Sequence, residues 1–240
     1  MAPAVRVLVT GFGPFPGVGC NASAEVARAL ASSPGIELFT AIIPVEWDRA
    51  RAVAREAIAR TKPHAVLHLG VSKRATGFEI ETRALNAARP KLDQAGGARL
   101  AGQLARGGPP VQPATLSPAR LLSALRQGAF PAQLSRSAGH YLCNALYYWS
   151  LADARAGGPL VGFVHMPALG IEPPARACLT LDVAIAGARV SRSRGSLRRA
   201  MRKAEQRRRE LGKGTAWIAG ISWDLAEWRG LAEWRRFWGP

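Results

Sequence analysis

The segment VRVLVTGFGPFPGVGCNASAEVARALA, residues 5–31, decides the fold class of this chain. It begins with an apolar run, Val5–Val9, whose hydrophobic pattern predicts a β-strand. A loop rich in glycine and proline, Gly11–Gly19, follows, and Ser23–Ala31 has the spacing of an amphipathic helix. This order of a strand, a turn and a helix is typical of α/β folds.

Strand and helix patterns continue to alternate along the chain. Strands are predicted at Leu38–Val45, Ala65–Gly70, Phe78–Leu85 and around His165, and helices at Trp47–Thr61, after Ser117-Pro118, around Cys143 and near Arg176–Ala188. Gly96–Ser117 has the composition of a long irregular connection, and Ser117 and Pro118 suit the cap and first turn of the next helix. We therefore predict a single-domain, three-layer α/β/α sandwich with a mostly parallel, mixed central sheet.

Composition limits the class of protein. The 240 residues, 48% of them hydrophobic, fit one globular domain with a full core, and no apolar run approaches the roughly 20 residues needed to cross a bilayer. The three cysteines are widely spaced and odd in number, which favours a reducing compartment and no disulfide framework. Because a strand follows the first residues directly, we expect no secretory signal and a cytoplasmic location. No Cys/His spacing indicates a structural zinc site.

One cysteine occupies a position that favours reactivity. The stretch SRSAGHYLCN, residues 135–144, passes from a turn of small residues into the apolar helical run Ala145–Trp149. A thiol at a helix start lies near unpaired N–H groups and the positive end of the helix dipole, which favour the thiolate. Cys143 is therefore a candidate nucleophile, although a buried structural cysteine fits the same local pattern.

A base and an orienting carboxylate are available on other predicted elements. His165 ends the strand-like run in GFVHMP, residues 162–167, and the alternating strand FEIETR, residues 78–83, carries Glu79 and Glu81 on one face. A cysteine, a histidine and a carboxylate on separate elements are the components of a thiol hydrolase. Periodicity alone does not select between the two glutamates.

Two other histidines are alternatives to His165 as the base. His140 lies three residues before Cys143, a spacing at which side chains on a helix interact. His68 lies inside the apolar run VLHL, residues 66–69, where a hydrogen-bonded core histidine is the simpler interpretation. The remaining cysteines, Cys20 and Cys178, are interpreted as structural or incidental.

Four motifs resemble, in order, those of the pyroglutamyl peptidase I family, the cysteine peptidases of family C15. TGFGPFPG at 10–17 with NAS at 21–23 is similar to the family's TGFxPFxG and NPS. Glu81, with Asn86 five residues later, is similar to its ERxxxN strand. SAGHYLCN at 137–144 and GFVHMP at 162–167 are similar to SAGxYxCN and GFxHxP. The order and spacing agree over most of the predicted α/β region.

The resemblance implies a catalytic site position by position. Cys143 corresponds to the nucleophile and His165 to its general base. Glu81, which the step to Asn86 selects over Glu79, corresponds to the group that orients the histidine.

The resemblance also implies a substrate and partners. Phe12 and Phe15 belong to the motif that lines the family's pocket for the five-membered lactam ring. The implied substrates are peptides with an N-terminal pyroglutamate, and the reaction requires no metal or organic cofactor. Because the family forms tetramers, a homo-oligomer is among the implied partners, and no membrane is.

The chain departs from the family pattern at several positions. Ala22 and Thr82 replace the usual proline and arginine, and Arg136 replaces an asparagine that often precedes the SAG turn. The loops at 71–76 and 87–96 also differ from the family's form. These loop differences make a related amidase with an altered substrate an alternative function.

The sequence changes character after Val190. Of the net charge of +17, residues 189–213 contribute eleven Lys or Arg and two Glu, a surplus of nine, and residues 214–240 hold five of the seven tryptophans. We predict that residues 1–190 form the α/β domain and that 191–240 are a basic, Trp-rich part, either an extension or the product of a shifted reading frame. Nucleic-acid or polyanion binding through this tail is the other alternative function, although its basic and Trp-rich blocks are adjacent and not interleaved.

Overall fold

The computed structural model describes residues 4–15, 21–30, 32, 35–128, 130–154 and 157–167, together with two short strands near the C-terminus. The chain divides into two units, Met1–Arg189 and Val190–Pro240. In the second unit the described strands, Trp217–Ile218 and Ile221–Ser222, pair with each other in antiparallel fashion. The predicted helix near 176–188 and the basic block lie outside the described residues. Whether the second unit is a separate extension stays a prediction.

Strands and helices alternate along the described part of the first unit. In chain order they are β1 (Val5–Phe12), α1 (Ala22–Ala29), β2 (Ile36–Ile43), α2 (Trp47–Thr61), β3 (Ala65–Ser72), β4 (Phe78–Glu81), β5 (Arg83–Leu85), β6 (Lys91–Leu92), β7 (Ala98–Arg99), β8 (Val111–Pro113), α3 (Pro118–Gln127), β9 (Ala132–Ser135), α4 (Leu142–Asp153) and β10 (Leu160–Pro167). The predicted bounds of α2 match the structure, and those of β1 to β3 differ by a few residues.

Six strands form one mixed sheet in the order β2-β1-β3-β10-β4-β9. Neighbouring strands run parallel except β10 and β4, which are antiparallel. The register places His165 of β10 beside Gly70 of β3 on one side and beside Glu79 of β4 on the other. The predicted mostly parallel, mixed α/β sheet is therefore confirmed.

Helices cover both faces of this sheet. Alternate side chains of β1 point to opposite faces, so that Val7 and Val9 join one apolar cluster and Leu8 joins another. The first cluster receives residues of α1 and α3, and the second receives residues of α2 and α4. The result is the predicted three-layer arrangement, with α4 on the same face as α2.

Two local predictions were wrong, the unbroken strand 78–85 and the irregular connection 96–117. The predicted strand Phe78–Leu85 is broken at Thr82. The backbone N–H and the hydroxyl of Thr82 both donate to the Ser135 carbonyl, each at 2.8 Å. The chain then continues into β5, which pairs with β8 and not with β10. The connection 96–117 contains β7 and β8 and is not wholly irregular. By contrast, Ser117 and Pro118 occupy the predicted N-cap and first turn of α3, although the Ser117 side chain makes no capping bond.

Helix α2 begins with help from a distant loop. Its N-cap residue, Glu46, makes no side-chain capping bond. Asp93, in the turn between β6 and β7, accepts a hydrogen bond from the Trp47 N–H at 2.8 Å, and also bonds to the N–H groups of Ala95 at 2.9 Å and Gly97 at 2.7 Å. Asp93 is only 7% exposed, and these three hydrogen bonds offset the unfavourable free energy of burying its carboxylate. One side chain thus caps α2 and closes the turn of the 87–96 loop.

We expect Asp93→Ala to lower the free energy of unfolding by about 2–3 kcal/mol, because a helix cap and two turn bonds to a charged acceptor are lost together. Urea denaturation followed by circular dichroism measures this change. Asp48→Ala is the matched control, since Asp48 lies exposed in the first turn of the same helix. Equal losses in the two variants would contradict the capping role.

Candidate active site

Cys143 lies at the N-terminal end of α4. It is the second residue of the helix, it is half-buried, and Tyr141 is the N-cap residue. The N–H groups of the first helical turn have no partner one turn earlier in the helix, so they are available to an external acceptor. The turn that leads into the helix passes through Gly139 at φ +79°, a backbone conformation that favours glycine. The glycine of the SAG motif therefore allows the sharp approach to Cys143.

His165 and Glu81 form a buried pair on neighbouring strands. The Nδ1 atom of His165 and the Oε1 atom of Glu81 are 2.8 Å apart, and the two residues are 6% and 1% exposed. The other carboxylate oxygen of Glu81, Oε2, is buried and has no hydrogen-bond partner among the described residues. Because Nδ1 is engaged by Glu81, the remaining ring nitrogen, Nε2, is the one left for the thiol.

His165 also interacts with Cys143. Burial by itself lowers the pKa of His165, but hydrogen bonds to Cys143 and Glu81, and the negative charges of those two groups, outweigh it and raise the pKa to about 10. The structure thus brings together Cys143, His165 and Glu81 in a row, with the histidine in the centre. At neutral pH this environment favours the imidazolium.

Glu79 lies on the same face of β4 as Glu81 but has a different partner. Its Oε1 atom accepts a hydrogen bond from Gln133 Nε2 at 3.2 Å. Among the residues that the structure describes, only Glu79, Glu81 and His165 are grouped closely enough to hold a metal ion, with ligand atoms within 4.8 Å of one another. The expectation that the reaction needs no metal or cofactor stays a prediction.

The alternative histidines have other surroundings. His68 is fully buried, with Nδ1 at 2.7 Å from the Thr10 hydroxyl and Nε2 at 2.9 Å from the Ser150 hydroxyl, and burial lowers its pKa to about 3. The interpretation of His68 as a hydrogen-bonded core residue is confirmed. His140 is half-buried and its carbonyl accepts the Arg89 N–H at 3.0 Å, but the imidazole that interacts with the thiol is that of His165.

Phe12 and Phe15 lie near the end of β1. Phe12 is 3% exposed and belongs to the apolar cluster under α2 and α4, and Phe15 is half-buried and packs against the same cluster. Cys143 packs against this cluster as well. Phe12 is therefore at least a core residue, and the pocket role of both phenylalanines stays a prediction.

Gly70 provides the space that the thiol occupies. A Cβ atom at this position would lie 3.2 Å from Cys143 Sγ and only 2.8 Å from Cζ of Phe163. The Phe163 ring is fully buried, so it has no room to withdraw. A glycine at this point of β3 is therefore required for the close approach of the strand to Cys143.

Sequence reasoning missed two side chains that contact this site from α4. Asn144 is fully buried and bonds to the backbone of Leu85 and Ala87, and the Tyr147 hydroxyl donates to the Glu81 carbonyl. The signal for Asn144 was its polar character inside an apolar helical run. For Tyr147 the sequence offers no signal, because a buried tyrosine in a helix is ordinary core composition.

The loop at 87–96, which differs from the family's form, is bonded to Tyr141, two residues before Cys143. The Tyr141 hydroxyl donates to the Leu92 carbonyl at 2.9 Å, and the Tyr141 ring packs edge-on against Trp47 at 5.3 Å between ring centroids. Burial, and the negative charges of Asp93 and Cys143, raise the pKa of Tyr141 to about 12. The loop is thus tied both to α2 and to the start of α4.

A thiol at a helix start, beside an imidazole that a buried carboxylate holds, is the arrangement expected of a cysteine-dependent hydrolase. A family model described as pyroglutamyl peptidase, Peptidase_C15, matches residues 5–193. The chain therefore belongs to the pyroglutamyl peptidase family of cysteine peptidases.

Relatives and solved structures agree with this family. The chain is 31% identical over 190 residues to a pyrrolidone-carboxylate peptidase of Gloeobacter violaceus, which covers 76% of this chain and 93% of that protein. The pyrrolidone carboxyl peptidase structure of Pyrococcus furiosus has a TM-score of 0.69 and 28% identity, and covers 77% of this chain and 98% of that one. The pyroglutamyl peptidase I of Bacillus amyloliquefaciens, at 24% identity and a TM-score of 0.70, supports the fold.

None of the described helices is long and apolar enough to span a membrane.

Proposed function

We propose that this member of the pyroglutamyl peptidase family is an omega-peptidase that removes N-terminal pyroglutamate by thiolate attack with a Cys143-His165-Glu81 triad. The observation that carries the proposal is the row of three interacting side chains at the start of α4, with Glu81 at 2.8 Å from His165. The assay is release of aminomethylcoumarin from its pyroglutamyl amide. Hydrolysis of other acyl amides but not of this one would favour the related amidase.

The first half-reaction forms a thioester. The Cys143 sulfur attacks the carbonyl carbon of pyroglutamate, while its proton resides on His165 as imidazolium. The resulting oxyanion is stabilised by N–H groups at the start of α4, including that of Cys143. His165 then gives its proton to the leaving amine, the C–N bond breaks, and the peptide departs with a free N-terminus.

The second half-reaction consumes water. His165, now neutral, accepts a proton from a water molecule as the water oxygen attacks the thioester carbon. The C–S bond breaks, pyroglutamic acid is released, and the proton returns the thiol–imidazole pair to its starting state. Glu81 fixes the ring so that Nδ1 faces the carboxylate and Nε2 faces the sulfur in both half-reactions.

Recognition of this substrate must rely on shape. A pyroglutamyl peptide has no free α-amine, so a carboxylate cannot select its N-terminus. We propose that Phe12 and Phe15 pack against the flat lactam ring, because aromatic faces suit a planar group in an apolar slot. Their packing against the cluster that Cys143 also contacts supports this assignment.

The nucleophile is tested by substitution and by alkylation. Cys143→Ala should abolish nearly all turnover with no loss of the fold, and iodoacetamide should label Cys143 before Cys20 or Cys178, because the neighbouring imidazolium favours its thiolate. Peptide mass spectrometry after brief alkylation measures the order of labelling. Faster labelling of Cys20, or an active Cys143→Ala, would refute the assignment.

Another prediction distinguishes the carboxylates of Glu81 and Glu79. Glu81→Gln should lower kcat by on the order of 10⁴, the typical cost of losing an orienting carboxylate in an acyl-transfer triad. Glu79→Gln is the matched control, because Glu79 shares the strand face but its carboxylate bonds to Gln133. Steady-state kinetics on the pyroglutamyl amide compares them, and equal effects would show that the wrong glutamate was selected.

The tail supports a second activity by its charge alone. We propose that residues 191–240 contribute polyanion binding and not catalysis, because the surplus of nine positive charges lies in residues 189–213, after every residue assigned to the reaction. A chain that ends at Val190 should keep pyroglutamyl hydrolysis and lose most of its salt-sensitive retention on heparin. Unfolding or loss of turnover in the shortened chain would place the tail within the catalytic domain.

Two further proposals concern context. We propose a cytoplasmic location, since the thiol nucleophile and the odd number of widely spaced cysteines suit a reducing compartment. We also propose a homo-oligomer, as the resemblance to the family implies. Size-exclusion chromatography with light scattering tests the oligomeric state.

A further inference from the structure

We propose that Tyr147 and Asn144 are positioning residues that hold the nucleophile and its orienting carboxylate in one fixed register. The inference rests on the triad proposed above. Both residues lie on α4, within four positions of Cys143, and both bond to the chain segment that begins at Glu81. Helix α4 therefore carries the thiol and also fixes the backbone that presents the carboxylate.

Asn144 holds the start of the helix. Its Oδ1 atom accepts the Leu85 N–H at 2.8 Å, and its Nδ2 atom donates to the carbonyls of Leu85 at 2.8 Å and Ala87 at 3.0 Å. The side chain is fully buried, and both its oxygen and its nitrogen are hydrogen-bonded to the backbone of residues 85–87. Because Asn144 directly follows Cys143, these three bonds fix where the helix start lies relative to that segment.

Tyr147 acts on the other end of the same segment. Tyr147 lies one helical turn after Cys143, and its hydroxyl donates to the Glu81 carbonyl at 3.1 Å. Its ring lies 5.6 Å from that of Phe163, which in turn lies 4.7 Å from the imidazole of His165. Burial and the charge of Glu81 both raise the pKa of Tyr147, so the hydroxyl stays a donor. Tyr147 thus bonds to the backbone of Glu81 and packs against the Phe163 ring, which in turn packs against the His165 imidazole.

The position of Glu81 depends on these contacts because Glu81 is the last residue of β4. The pairing of β4 with β10 and with β9 stops at Glu81, and the chain turns away at Thr82. Its side chain has one bond to His165 and one oxygen without a partner among the described residues. With so little fixing the carboxylate directly, its position depends on the backbone bonds on either side of it.

Tyr148 offers a matched control within the same helix. It too is fully buried, and its hydroxyl donates to a backbone carbonyl, that of Pro109, at 2.9 Å. Tyr147→Phe and Tyr148→Phe each delete one phenolic O–H from a bond of the same kind. Only the first of these bonds reaches the triad, so a purely structural role predicts similar effects from both.

The experiment compares kcat, KM and the pH profile of the two variants on pyroglutamyl aminomethylcoumarin, with urea denaturation as the measure of stability. We expect Tyr147→Phe to lower kcat by about three- to tenfold with KM unchanged, since one hydrogen bond is lost from the catalytic arrangement and not from the substrate. A loosened Glu81 stabilises the imidazolium less, which lowers the pKa of His165, so the alkaline limb of kcat/KM should move to lower pH. Tyr148→Phe should be destabilised to a similar extent but keep the kcat and the pH profile of the unmodified chain.

Asn144→Asp gives a second measurement. It retains an acceptor for the Leu85 N–H but loses both donated bonds, and we expect a larger decrease in kcat than in Tyr147→Phe. If Asn144→Asp does not fold, the comparison of Tyr147→Phe with Tyr148→Phe tests the inference by itself. Identical kcat and pH profiles in the two tyrosine variants would overturn the inference. That result differs from failure of the triad itself, in which Glu81→Gln would retain full turnover.

Discussion

The buried contact between Glu81 and His165 is the interaction on which the rest of the structure depends. A carboxylate that is 1% exposed loses its hydration, and that loss costs several kcal/mol unless a counter-charge lies close. The imidazole at 2.8 Å, with its raised pKa, supplies that charge. The Cys143 thiol adds a second interaction that favours the imidazolium.

This contact lies where β4 and β10 pair, the one antiparallel pairing among the described strands of the main sheet. Because β4 runs against β10, Phe163 pairs with Glu81 and His165 with Glu79, and all four side chains point to the α4 face. The same face receives the helix with Cys143, and Gly70 on β3 leaves room for the sulfur. Buried polar groups on α4 are matched individually, as Ser150 with His68 shows. Helix α4 can therefore be buried on nearly all sides without leaving its polar side chains unpaired.

The sequence predicted the parts of this arrangement that depend on local pattern. The helix Trp47–Thr61 and the strand ending near His165 follow from periodicity, and the motif around Cys143 correctly placed the thiol at a helix start. The break at Thr82 was missed because the alternating pattern continues through it, while the change of pairing partner is a long-range event. Likewise, the choice of Glu81 over Glu79 needed a family motif, since the contact with His165 is set by strand register and not by face alone.

Three of the departures from the family pattern, at Thr82, at Ala22 and in the 87–96 loop, are accompanied by hydrogen bonds of their own. Thr82, in place of arginine, uses its N–H and hydroxyl on the Ser135 carbonyl and so fixes the turn after Glu81. Ala22, in place of proline, begins α1 after an Asn21 side chain that accepts the Ser23 N–H, and a first-turn residue needs no helical partner for its own N–H. The altered 87–96 loop is closed by Asp93 and tied to Tyr141. Each of these three departures from the family pattern is therefore accompanied by hydrogen bonds that fix the chain locally.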